Sequence, residues 1–242
     1  MPEKFQKLDG AALKIIAVAS MLIDHLAAGI LLPVYIMPYA PISQGTSVYT
    51  LYQIYNVMRG IGRAAFPIYC FLLVEGFLHT RNRSKYLQRL LIFALISELP
   101  FDLCFQKTMW DLNHQNVFFT LALGLMMLML WEYCEDKPYK GLLRFLTFVL
   151  TAFTAFALCT DYDVFGILLI LVLYLLRKWR VPQVFFGLLA ICYELPEVIL
   201  GFIPILLYNG KRGRQLKMAF YALYPIHLLL FYLLSVLLQG GV

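Results

Sequence analysis

Several ionisable side chains lie in stretches apolar enough to sit in a bilayer, where each costs on the order of 2.5–3.5 kcal/mol near the midplane and so needs a partner or a function. Lys14, Asp24 and His25 fall in the first such stretch, Arg59, Arg63 and Glu75 in the second, Glu98 and Asp102 in the third, and His227 in the last. Lys14 and His25 are eleven residues apart. At 100° per residue that is three turns plus about 20°, so a helix projects both from one face, about 16 Å apart along its axis. An imidazole with an ordinary pKa of about 6.5 can accept and return a proton near neutrality, and a cation one half-membrane away can hold an anionic group. Asp24 points about 100° away from His25 and is expected to pair with another helix. Arg59 and Arg63, four apart and hence on one helix face, are its candidate partners. Two cations inside a span are stable only against carboxylates, which Asp24 and Glu75 can supply, or against a phosphate-bearing ligand. Glu98 and Asp102 share a face in the same way, and His227 follows Tyr224-Pro225, where proline loosens the helix.

The elements that must position these residues follow from composition. Of 242 residues, 62% are hydrophobic and 14% charged, against about 25% charged in soluble domains, and mean hydropathy is +0.75. That profile excludes a disordered chain, a nucleic-acid module and a disulfide-stapled secreted domain, and leaves an all-α polytopic integral membrane protein. Apolar runs cover 11–32, 51–78, 86–105, 117–131, 141–158, 164–176, 181–208 and 218–238, enough for about eight or nine spans in a single transmembrane domain, 1–242. The basic residues Arg81, Arg83 and Lys85, and then Arg177, Lys178 and Arg180, place the N-terminus in the cytoplasm. A single span over 181–208 would export Lys211, Arg212, Arg214 and Lys217, so this run is expected to break at Glu194-Leu195-Pro196, as two short spans or a re-entrant hairpin. Glu98-Leu99-Pro100 repeats the same string. The five cysteines have no metal-ligand spacing and read as apolar fillers, and the polar cluster around His114 reads as a solvated loop.

The sequence also resembles a known family. Leu13-Lys14-Ile15-Ile16-Ala17, Met21-Leu22-Ile23-Asp24-His25, Arg59-Gly60-Ile61-Gly62-Arg63, Glu75-Gly76-Phe77, Ser97-Glu98-Leu99-Pro100-Phe101-Asp102, Asn116-Val117-Phe118-Phe119, Asn209-Gly210-Lys211-Arg212-Gly213 and Tyr224-Pro225-Ile226-His227 are similar to TraX proteins almost end to end. That family is named for the conjugative-pilus acetylase of F-pilin, and it resembles the wider group of acyltransferase-3-type membrane acyltransferases. In that group a basic residue and a histidine are separated by ten intervening residues in the first span and an arginine pair lies in a later one. Lys14 and His25 match the first pattern, and Arg59 and Arg63 resemble the second with three intervening residues rather than two.

The resemblance implies a membrane acetyltransferase of the bacterial inner membrane that moves an acetyl group from cytoplasmic acetyl-CoA to an amine or hydroxyl of a pilin-like peptide or a cell-envelope acceptor. No metal and no nucleic-acid partner are expected, and membrane lipid surrounds the chain. His25 is the expected general base, with Asp24 as the second catalytic residue. Lys14, Arg59 and Arg63 are expected to hold the CoA phosphates, while Glu98, Asp102, Asn116 and His227 lie near the acceptor. A proton-coupled transporter, relaying protons through the same carboxylates and histidines, is the alternative class.

Overall fold

The computed structural model describes residues 6–213 and 217–240, and among these the regular structure is helical throughout. Helix α1, Gly10–Leu26, starts at Asp9, whose carboxylate accepts from the Ala12 amide at 2.8 Å. It runs on through a wider-wound segment, Ala27–Ile36, to Tyr39, giving a 30-residue rod. The widening surrounds Pro33, which has no amide proton to give to the ladder.

Helices α2, Ser47–Gly62, and α3, Ala65–His79, form a second long stretch interrupted by a turn at Arg63 and Ala64. Helix α4, Arg83–Phe101, is capped by Asn82 and continues through Asp102–Gln106 to a left-handed Lys107. Then come α5, Val117–Tyr133, α6, Lys140–Ala157, α7, Asp163–Leu175, α8, Arg180–Ala190, α9, Ile199–Leu206, and α10, Lys217–Gln239. Every apolar run of the sequence forms helix, the runs 51–78 and 181–208 in two pieces each. Four stretches, Gly10–Tyr39, Ser47–His79, Lys140–Ala157 and Met218–Gln239, are long and apolar enough to cross a membrane by length and composition, and α5, α7 and α8 are shorter apolar helices.

The run at 181–208 does break where the sequence indicates. α8 and α9, of 11 and 8 residues, span only about 16 and 12 Å, and the segment 191–198 between them holds Glu194-Leu195-Pro196. This segment packs on the α2–α3 junction, where Arg63 Nε lies 2.9 Å from Glu194 and Gly60 faces Glu197, while Cys192, Tyr193, Leu195 and Pro196 stay exposed. The first Glu-Leu-Pro string instead stays helical within α4.

α3 is the hub, packed on α1, α5, α7 and α9, while α4 lies between α10 and α5. Its buried Ile68, Phe71, Val74 and Phe77 meet Leu13, Leu125 and Phe202 in one continuous core. Small residues permit the closest approaches. A Cβ on Gly201 would run into the Ala64 backbone, and one on Gly62 would collide with the Asp24 carboxyl group. At the face where α1 begins, Leu8 is bonded to the α9–α10 loop, its amide to Leu207 O at 3.0 Å and its carbonyl to the Asn209 amide at 2.8 Å. That face also carries Arg81, Lys85 and Arg212 and is called the basic face below. At the opposite face, Gln115 bonds Cys159 and Asp161 at 2.9 Å, joining the loops that precede α5 and α7.

Candidate active site

Ionisable groups within the bundle fall into three sets. The first surrounds a cavity of about 710 Å³ on the basic face, between α1, α3, α4 and α10. Its rim carries Lys14 from α1, Arg81 from the α3–α4 loop, Lys85 and Arg89 from the start of α4, and Arg212 from the α9–α10 loop. Lys85 and Arg89 are four apart, so one face of α4 presents both. Glu75, on the same wall, accepts a hydrogen bond from the Tyr208 hydroxyl at 3.1 Å. Deeper in, the lining turns apolar, and the cavity ends on Met21, Phe118, Leu121 and Tyr224.

Tyr224 separates the cavity from the second set. The edge of its ring meets His25 at 5.8 Å and His227 at 5.6 Å between centroids. The two histidines, 202 residues apart in sequence, are brought side by side by the packing of α1 on α10, with His25 Nδ1 2.6 Å from His227 Nε2 and their rings within 10° of parallel. His227 Nδ1 lies 2.7 Å from the Leu223 carbonyl one turn earlier. Phe105 packs edge-on to half-buried His25, and Phe231 edge-on to buried His227.

On the next wall, α4 holds Glu98 and Asp102, 5% and 0% exposed. Asn116 organises the first of these. Its side-chain oxygen caps α5 by accepting from the Phe118 amide at 3.1 Å, while its side-chain N–H donates to Glu98 and to Ala94 O. Asp102 accepts from the Asp111 amide at 2.9 Å. Glu98 Oε1 and Asp102 Oδ1 are each buried without a hydrogen-bond partner among the described residues, so α4 carries spare acceptor capacity toward the opposite face.

The third set is the arginine pair. Arg59 Nη1 lies 2.5 Å from Asp24 Oδ2, and Arg63 pairs with Glu194 at the α8–α9 break. Carboxylates therefore match both guanidinium groups, and neither residue lines the cavity. The expected grouping of Lys14 with Arg59 and Arg63 around one polyanion is not formed. Asp24, which holds Arg59, is ten residues and so about 15 Å along α1 from Lys14, and Arg63 is held by Glu194 at the α8–α9 break. Asp24 joins this network and is not in contact with the histidine pair, whereas His227, expected beside the acceptor, bonds His25 directly.

Outside the spans, His114 is not simply solvated. It lies 3.8 Å from Asp161 and edge-on to Phe101, and the Asp161 carboxylate raises its pKa above the usual histidine value despite partial burial. Sequence reasoning passed over Arg89, Tyr208, Tyr221 and Tyr224 as cavity residues. The four-residue spacing of Lys85 and Arg89 was the available signal for the first.

Fold and site together define a polytopic, all-helical membrane protein with a cation-rimmed cavity that ends at Tyr224, behind which His25 and His227 pair. The chain belongs to the TraX family, whose family model, TraX protein, matches residues 9–235. A probable fimbrial assembly protein, FimC of serogroup H1, from Dichelobacter nodosus is 33% identical over 247 residues, covering 90% of this chain and 92% of that protein. No solved structure matches the chain.

Proposed function

We propose that the protein is an integral-membrane acetyltransferase of the bacterial inner membrane that takes its acetyl group from cytoplasmic acetyl-CoA and passes it to an amine or hydroxyl of a pilin-like or cell-envelope acceptor. Membership of the TraX family and the fimbrial-assembly name of the Dichelobacter relative support a pilus-related acceptor. The observation that carries the reading is the cavity, cationic at its mouth, apolar along its depth and closed by the tyrosine that touches His25 and His227. Acetyl-CoA has the matching polarity, with phosphates at one end, an extended pantetheine arm and a thioester at the other.

The basic face is the cytoplasmic one by the excess of lysine and arginine in its loops, which puts the N-terminus inside. In this reading Lys14, Arg81, Lys85, Arg89 and Arg212 hold the phosphates, while Arg59 and Arg63 fix α2–α3 against α1 and the α8–α9 break. His25 takes a proton from the acceptor, and the spare oxygens of Glu98 and Asp102, with Asn116, face the side from which the acceptor arrives. The distance from Lys14 to His25, about 16 Å along α1, makes the helix a ruler for the pantetheine arm.

The test is transfer of radiolabelled acetyl from acetyl-CoA by purified protein in proteoliposomes, with a pilin N-terminal peptide or envelope extract as acceptor. Acetyl-CoA-dependent labelling that is lost in His25→Ala supports the reading. Proton-coupled flux of a small molecule without consumption of acetyl-CoA would replace it with a transporter.

A further inference from the structure

We infer that His227 is a positioning residue that fixes the tautomer of His25, so that the two histidines act as one base. The inference rests on the acetyltransferase reading for its role in catalysis, and on hydrogen-bond geometry alone for the tautomer. A carbonyl oxygen can only accept, so at 2.7 Å from Leu223 O it is His227 Nδ1 that carries the proton. Neutral His227 then has a bare Nε2. The 2.6 Å contact to His25 needs a proton between the nitrogens, and that proton must sit on His25 Nδ1. Neutral His25 is left with a bare Nε2, the lone pair a general base requires. The rings packed on the pair, Phe105, Tyr224 and Phe231, bring no carboxylate to it.

The step balances without any further reagent. As the acceptor N or O forms a bond to the acetyl carbonyl carbon, His25 Nε2 takes the acceptor proton. The C–S bond breaks with its electron pair on sulfur, and His25 returns the proton to give the CoA thiol. While His25 is cationic, its Nδ1–H still donates to His227 Nε2, and the chain from His25 through His227 to Leu223 O spreads the charge toward a backbone carbonyl. The wrong tautomer would point an N–H at the acceptor and abolish base function even with the ring in place.

The experiment uses full-length protein in nanodiscs, wild type, His227→Ala and His227→Gln. His227→Ala is expected to lower kcat roughly 10²-fold, within the range a positioned acid–base group contributes, with the KM for acetyl-CoA unchanged. Glutamine keeps a side-chain oxygen that can accept from His25 Nδ1–H, so His227→Gln recovers part of the loss. The chain has four histidines, so ¹⁵N-histidine NMR of the wild type can read each ring. His25 and His227 should both appear as neutral Nδ1–H forms, and His25 in His227→Ala should become a mixture. An unchanged kcat in His227→Ala, or a raised acceptor KM with kcat intact, overturns the inference, as does an Nε2–H tautomer at His25 in the wild type. If the wild type transfers no acetyl group, the function reading fails while the NMR measurement still decides the tautomer.

Discussion

Replacing Arg89 by glutamine removes one charge from the cavity rim and keeps nearly the same side-chain length. Arg89 is half-buried at the start of α4, one turn beyond exposed Lys85 and across the cavity from Lys14. A hydrogen bond to a charged group is worth about 1.5–3 kcal/mol. The lower end applies at a wet rim where neighbouring cations remain, so acetyl-CoA should bind about tenfold more weakly, 1.4 kcal/mol being one decade. Raising ionic strength should shrink the difference, because exposed charges are screened over about 10 Å at 0.1 M salt. The assay is KM for acetyl-CoA and for acetyl-pantetheine, which lacks the nucleotide and its phosphates, in nanodisc-embedded protein. Arg89→Gln should raise the first and leave the second unchanged, and Arg59→Gln should change neither by more than its effect on folding. The opposite pattern, with Arg89 silent and Arg59 controlling the acetyl-CoA KM, would refute the placement of the phosphates and return them to the α2–α3 arginines.

Three other outcomes test the scaffold around the site. Arg59→Leu strands the Asp24 carboxylate, whose Oδ1 is already buried without a hydrogen bond among the described residues. Breaking a buried pair costs about 3–5 kcal/mol, and with side chains 29% and 17% exposed about 2 kcal/mol is expected, so the melting temperature in detergent should fall, and Asp24→Asn in the same protein should restore most of it. Gly62→Ala forces a Cβ into the Asp24 carboxyl group and should destabilise by about 1–3 kcal/mol; equal stability in a denaturation curve would mean that α1 and α2 separate freely. The pairing of His114 with Asp161 raises the histidine pKa, so its stabilisation is fully present below the unfolded value of about 6.5 and disappears as pH rises through the higher folded-state value. Melting temperature should decline over that window in the wild type and stay flatter in His114→Gln.

The helices were legible because hydropathy in a bilayer leaves few alternatives, and the break at Glu194-Leu195-Pro196 followed from charge alternation plus a proline. Lys14 and His25 could be placed on one face of α1 from spacing alone. What could not be read is which charges meet across helices. The sequence offered Arg59 and Arg63 alike as partners of Asp24 or of a phosphate, and only the folded chain gives Asp24 to Arg59 and Glu194 to Arg63. Arg81, Lys85 and Arg212 served as markers of sidedness, a role that hides their second position at a cavity mouth. Tyr224 is one aromatic among many in an apolar run, and nothing local marks it as the wall between the cavity and the histidines. The contact of His25 with His227 joins residues 202 positions apart, so it exists only once α1 and α10 pack together.

The most direct measurement of the central claim is acetyl transfer in oriented proteoliposomes, with acetyl-CoA supplied to one side at a time and wild type compared with His25→Ala. Labelled acceptor should form only when acetyl-CoA is on the side of the N-terminus. His25→Ala should lose transfer by about 10²- to 10⁴-fold while still binding CoA. Transfer at the wild-type rate by His25→Ala, or transfer driven from the opposite side, would contradict it.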